Sequence, residues 1–216
     1  VETIGKNAFE RCSALENVEL SKAKTIGESA FVGCVSLKAI ELPETETIEK
    51  NAFGKCSVLE TVELPKAKTI GESAFVGCES LKAIELPETE SIGQQAFDSL
   101  KALKTADLPK VKTIGYNAFA NSGLYSLNMP QVEKIGAGAF ESCRFSTDFS
   151  LPEGLKTIGS GAFAYSLQRD MLVIPSTVTY IGGYAFYSRY CWSTSIVFFR
   201  GNPPTYIGEK VFCEED

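Results

Sequence analysis

The sequence predicts a solenoid of the α/β class, a stack of short coils with a parallel ladder of short β-strands on one face and short helical or 3₁₀ segments on the other. Three observations predict it: a short marker that recurs along all 216 residues, an apolar pattern that no single recurrence can bury alone, and a 44-residue internal duplication.

The marker Ile-x-x-x-Ala-Phe has its Phe at 9, 31, 53, 75, 97, 119, 140, 163 and 186, and a variant with Val211 in place of Ala ends at Phe212. The gaps run 22 five times, then 21, 23, 23 and 26, so residues 1–216 read as a single domain of about ten coils of 21–26 residues. TIGESAFVGC occurs at Thr25–Cys34 and again at Thr69–Cys78, and Lys24–Thr47 matches Lys68–Ser91 at all but two of 24 positions. The coil is therefore the unit, and duplication copied coils in pairs.

Within a coil the pattern is IGxxAFxxCxxLxxVxLP, clearest from Ile70 to Pro87. In LxxVxL, seen as Leu81, Ile84 and Leu86, the last two apolar residues are two apart, the period of a strand with one face inward. The Pro that follows, at 43, 65, 87, 109, 130, 152 and 175, has no amide to donate and ends the pairing. From Ile26 through Ala30 and Phe31 to Cys34 the apolar spacing is 4, 1 and 3, which fits two helical turns or a 3₁₀ segment. Gly follows the marker Ile in nine coils but Glu49 does so in one, so a left-handed backbone is not obligatory there. At about 4.8 Å per strand, ten stacked coils give a body on the order of 45 Å long.

The phrases IGESAFVGCESLKAIELP and IPSTVTYIGGYAF resemble the leucine-rich repeats of the BspA-like (Treponema-type) class over essentially the whole chain. That resemblance implies a right-handed leucine-rich-repeat coil stack. It also implies a secreted or cell-surface protein that adheres to host matrix proteins or other cells. The chain starts and stops inside repeats and lacks an initial Met or leader, which predicts a processed chain or a piece of a longer array.

Composition excludes other classes. A net charge of −6 and a pI near 5.0 argue against nucleic acid, whose phosphates need concentrated Lys and Arg. No apolar run reaches the 18 or so residues of a membrane span; MLVI at Met171–Ile174 has strand length. The absence of His removes the usual general base, the Ser/His and Cys/His pairs and the commonest zinc ligand, and no CxxC exists, so no cofactor or metal is expected. A carboxylate-based glycan or peptide hydrolase is the least favoured reading, since a regular solenoid offers columns and not a dry pocket.

Cys12, Cys34, Cys56 and Cys78 share one repeat position and Cys143 aligns with them. Stacked positions project their Cβ atoms in parallel, which is poor disulfide geometry, so buried free thiols are expected. Cys191 and Cys213 are off the register and are the ones expected to be exposed or paired.

Charges after the strand alternate as KAK (22–24), ETE (44–46), KAK (66–68), ETE (88–90) and KVK (110–112), so each coil should neutralise its neighbour. A 44-residue copy preserves that alternation, whereas a 22-residue copy would stack like charges. One column does not alternate. Glu19, Glu41, Glu63, Glu85 and Asp107 occupy the outward strand position, followed by Asn128 and Ser150. Two readings stay open: a solvated face inherited by copying, or a binding stripe for a basic protein partner or a divalent cation such as calcium. Aromatic residues gather near the C-terminus at Tyr184, Tyr187, Tyr190 and Trp192, a set that either covers the end of the stack or forms a recognition patch. The sequence thus points to a non-enzymatic protein-binding or adhesion module, with a structural spacer that positions other domains as the alternative.

Overall fold

The computed structural model describes residues 1–167, 171–188 and 196–212, and in it the chain winds as a parallel β-solenoid. Its longest sheet is one the sequence pattern does not announce. Two-residue rungs, Thr3–Ile4, Thr25–Ile26, Thr47–Ile48 and so on to Tyr206–Ile207, pair in parallel and in chain order into ten strands. The register is Thr on Thr and Ile on Ile, as in Thr47↔Thr69 and Ile48↔Ile70. The marker Ile thus belongs to a strand and not to a helical turn.

The expected strands after Leu37 and its equivalents form a second, interrupted sheet. Ala39–Glu41 pairs with Thr61–Glu63; Ala83–Glu85, Thr105–Asp107 and Ser126–Asn128 form a second group; Met171–Ile174 pairs with Ile196–Phe199. The register stacks inward residue on inward residue, Ile40↔Val62 and Ile84↔Ala106.

No helix occurs on the opposite side among the described residues, and the expected helical or 3₁₀ segments are replaced by stacked turns. Ser29, Phe31 and Gly33 donate their amides to Lys50, Ala52 and Gly54 in the next coil at 2.9, 2.8 and 2.8 Å. The amides between them, Ala30, Val32 and Cys34, close turns on Gly27, Ser29 and Phe31 at 3.1, 3.2 and 3.1 Å. An α-helix would keep every amide within its own segment. Here alternate amides leave the coil, which requires left-handed backbone at Ser29 (φ 56°) and Gly33 (φ 74°) and at their repeats Ser73 and Gly77. Asn, Ser and Gly recur at the first of these columns, at 7, 29, 51, 73, 117, 138 and 161, because short side chains reach that region most cheaply.

The marker Gly serves a different purpose. A Cβ on Gly71 would lie 2.7 Å from the carbonyl carbon of Glu49 and 2.8 Å from the Ile48 oxygen, so the backbones approach too closely for a side chain. Glu49, the exception, turns its Oε2 to accept the Glu28 amide at 2.9 Å.

Between the two sheets and the turns lies one core of columns. Phe31, Phe53, Phe75, Phe97, Phe119, Phe140 and Phe163 are fully buried, with neighbouring rings stacked 5.0 to 5.5 Å apart. Thr45 and Thr89 are buried in the column of Ala23, Ala67 and Val111, and each hydroxyl donates to the alanine carbonyl one coil back, at 2.7 and 2.5 Å. The small alanine beneath each threonine leaves its carbonyl within reach. Pairwise copying therefore preserves this buried contact as well as surface charge.

Outside the core the alternating charges pair as expected. Lys66 meets Glu44 at 2.7 Å, Lys68 meets Glu46 at 2.6 Å and Lys110 meets Glu88 at 2.6 Å. Lys68 holds the Glu46 carboxyl below the usual carboxylate range by its hydrogen bond, and Lys82 does the same for Glu60.

Among the described residues five cysteines are free, and four of them, Cys34, Cys56, Cys78 and Cys143, are buried. Cys34, Cys56 and Cys78 each donate to a Phe carbonyl one coil back, Phe9, Phe31 and Phe53, at 3.1 Å. Cys12, expected to be buried with them, is exposed: it lies in the first coil, with no such carbonyl before it among the described residues. Cys191 and Cys213 lie outside the described residues.

Candidate binding face

The three-residue strands present Glu41, Glu63, Glu85 and Asp107 outward, and Glu19 extends the column from the coil before them; all five are exposed, with Asn128 and Ser150 next in the column. Strand alternation dictates this: Ile40 and Leu42 point inward, so Glu41 between them points out. The ladder sets Glu41 opposite Glu63 and Glu85 opposite Asp107. Asn128 ends the acidic run by donating its Nδ2 to Asp107 Oδ1 at 2.6 Å. None of the five acids forms an ion pair with a described residue, whereas acids beside the column do so with lysines one coil away.

The acidic column is not uniformly zipped. Leu42 and Leu86 donate to Glu63 and Asp107 in the next coil at 3.1 and 2.9 Å, but Leu20 and Leu64, at the equivalent place in the alternate coils, make no such bond. Two open grooves lie at these interruptions. One, of about 500 Å³, is flanked by Glu19 and Glu41; the other, of about 390 Å³, is flanked by Glu63 and Glu85, with Glu60 and Lys82 at one end. They are 44 residues apart in register, so the duplicated unit carries its own groove.

Of the aromatic set, Tyr184 and Tyr187 lie on the turn side, with ring centroids 5.6 Å apart and edge to face. Tyr187 meets Tyr165 at 5.3 Å. The coil at Tyr206–Phe212 stacks beyond them, Phe212 against Phe186, so these two tyrosines do not cover the end. Tyr190 and Trp192 lie outside the described residues. Among the described residues no three acidic or thiol side chains converge to hold a metal, and no helix is long and apolar enough to cross a membrane.

A family model described as BspA type leucine rich repeat region matches residues 1–89 and 68–193, with six copies. The chain belongs to this family. This BspA-type chain is similar to a solved leucine-rich repeat protein from Bacteroides ovatus, with 25% identity and a TM-score of 0.75 over 91% of this chain and 55% of that one. It is also similar to the T. pallidum leucine-rich repeat protein, with 29% identity and a TM-score of 0.60 over 76% of this chain and 70% of that one. A leucine-rich cell surface protein from Faecalibacterium prausnitzii shares the fold, with 23% identity and a TM-score of 0.57 over 98% of this chain and 68% of that one. The chain spans about half the length of the Bacteroides protein. No curated protein sequence matches it.

In this BspA-type repeat, sequence reasoning missed how the outward column ends. Beyond Ser150 it continues through Val173 and Phe198, which pair with each other. The signal was present in the alternation of MLVI and IVFF, but marker spacings of 23 and 26 residues obscure the register there.

Proposed function

We propose that the chain is a non-enzymatic protein-binding module of a bacterial cell-surface or secreted leucine-rich-repeat protein, and that it engages its partner with the short-strand face. The observation that carries the reading is the unpaired acidic column. The triplets at 22–24, 44–46, 66–68, 88–90 and 110–112 alternate sign from coil to coil, yet here five acids stack without a lysine, at a repulsive cost of about 0.8 kcal/mol per adjacent pair in water. Surfaces of this kind in solenoids are extended binding platforms, and the like charge suits a basic protein such as a host matrix or cell-surface protein. A basic partner is favoured over calcium, which takes six or more oxygens where this column offers an extended row. A hydrolase is disfavoured because the grooves beside these acids are open to solvent and offer no dry, enclosed pocket to hold a substrate. The cell-surface location is part of this proposal and is prompted by the family resemblance of the repeats.

The test is a binding screen of the immobilised chain against purified host matrix and cell-surface proteins, run in parallel with the Glu41→Gln, Glu63→Gln, Glu85→Gln triple variant. A partner bound by the parent and lost by the variant supports the reading. A chain that binds nothing in the screen favours the spacer alternative, in which the ten coils only position other domains.

A further inference from the structure

We propose that the short-strand face takes one polypeptide segment along its length, with basic residues over the first coils and apolar residues over the last. This rests on the binding reading above and names the chemistry of the partner. The outward column changes character in one direction: five acids from Glu19 to Asp107, then neutral Asn128 and Ser150, then Val173 and Phe198.

The apolar end is the independent observation. Met171 pairs with Ile196 and Val173 with Phe198, so four apolar side chains meet on the outside of two paired strands. Met171 is 53% exposed, Ile196 56% and Phe198 55%, while Leu172 and Ile174 between them fill the core. The core therefore needs nothing from the outward four. Single exposed apolar residues are ordinary, but a contiguous group on one face marks a contact surface. In earlier coils the equivalent positions are Ala39 with Glu41 and Thr61 with Glu63. Arg200, beside the patch, is paired with Glu153, so it adds no free positive charge there.

The two ends lie on one path. From Asp107 to Val173 is three coil steps, about 15 Å, or four to five residues of extended chain. Two grooves of about 350 and 260 Å³ run between them, lined by Leu127, Phe149, Leu151 and Met171 among others. The charge pattern selects the occupant. A second copy of this chain laid parallel would set acid against acid, and laid antiparallel would set acid against the apolar patch. An anionic membrane or a nucleic acid would be repelled by the acidic end. A distinct polypeptide with a basic stretch followed or preceded by an apolar one satisfies both ends.

The test uses two fluorescein-labelled synthetic peptides of identical composition. One has four lysines at one end, a five-residue Gly/Ser spacer and a Leu/Phe block at the other; the second interleaves the same residues. Anisotropy titrations measure both at low and physiological salt against the parent, the Glu41/Glu63/Glu85→Gln triple variant, and the single variants Phe198→Ser and Met171→Ser, each checked by thermal melting. The inference expects the segregated peptide to bind at least about tenfold more tightly than the interleaved one. It expects the triple variant to lose the salt-sensitive part of the affinity, and each Ser variant to bind about tenfold more weakly at both salt concentrations. Equal binding of the two peptides, or no binding of either, overturns it. If both Ser variants bind the segregated peptide as the parent does while the triple variant weakens, the inference falls and the binding reading stands. If the triple variant also fails to change the protein screen, both fall.

Discussion

Phe75 lies between Phe53 and Phe97, with both ring centroids 5.2 Å away, and is wholly buried, whereas Glu72 in the same coil makes one exposed ion pair with Lys50 at 2.8 Å. Truncating a buried Phe removes its transfer energy and leaves a cavity that stacked coils cannot collapse. Phe75→Ala should therefore cost about 3 to 5 kcal/mol in urea melts, and Glu72→Ala less than about 1. Equal losses would mean that the facing is misassigned. The thiols follow the same logic of burial. Burial pushes Cys34 up to about 11 and Cys143 up to about 12, and contact with Cys56 together with burial raises Cys78. In the native protein Cys12 should react rapidly with a thiol reagent, and Cys34, Cys56, Cys78 and Cys143 only after denaturation, as mass spectrometry of the labelled peptides will read. Because unfolded thiols lose their protons near about 8.5 while folded Cys34 and Cys143 keep theirs, their contribution to stability is fully present below that pH, falls above it and is lost as pH rises through about 11 and 12. An unchanged melting temperature from pH 8 to 11 would contradict this.

At the scale of elements, the inward positions of the strands were legible because apolar residues two apart before a Pro admit few other readings: Ile40 and Leu42, Ile84 and Leu86 are all buried. The Thr–Ile rungs were not, because two residues are too few to display a period of two, and their stability comes from coils above and below. The turn side departs from the helical expectation for a related reason. A spacing of 4, 1 and 3 fits a helical turn, and only the inter-coil destination of alternate amides, such as Phe31 to Ala52, separates the two. The acidic column was legible as a column, but its two grooves depend on which backbone bonds are made, which side-chain pattern does not encode. This difference gives a prediction. Leu64 and Leu86 are both buried, but only Leu86 donates its amide to the next coil, at 2.9 Å. Native-state hydrogen exchange at the Leu86 amide should be at least about tenfold slower than at Leu64, and Leu42 should likewise outlast Leu20. Equal protection at Leu64 and Leu86 would close the groove.

At the scale of the whole molecule, a stack whose coils touch only their neighbours is stable to the extent that each junction is compatible. Inserting a further copy of residues 24–67 between Ala67 and Lys68 repeats junctions that already exist, with lysine over glutamate and threonine over alanine. A 22-residue insertion sets like against like. The first insertion should hold or raise the midpoint of thermal unfolding and the second should lower it by several degrees, as calorimetry will read. The same 44-residue logic that keeps the junctions compatible has left five acids in line on one face, and the claim that this face binds a basic partner is the centre of the account. Its most direct measurement is the association rate of a partner found in the screen with the parent and with the Glu41→Gln, Glu63→Gln, Glu85→Gln variant, at low and high ionic strength. Exposed charges steer encounter within a Debye length of about 8 Å at physiological salt. The account predicts that the parent associates faster at low salt, that the variant is slower there, and that the two rates converge as salt rises. A variant that associates as fast as the parent at every salt concentration would contradict it.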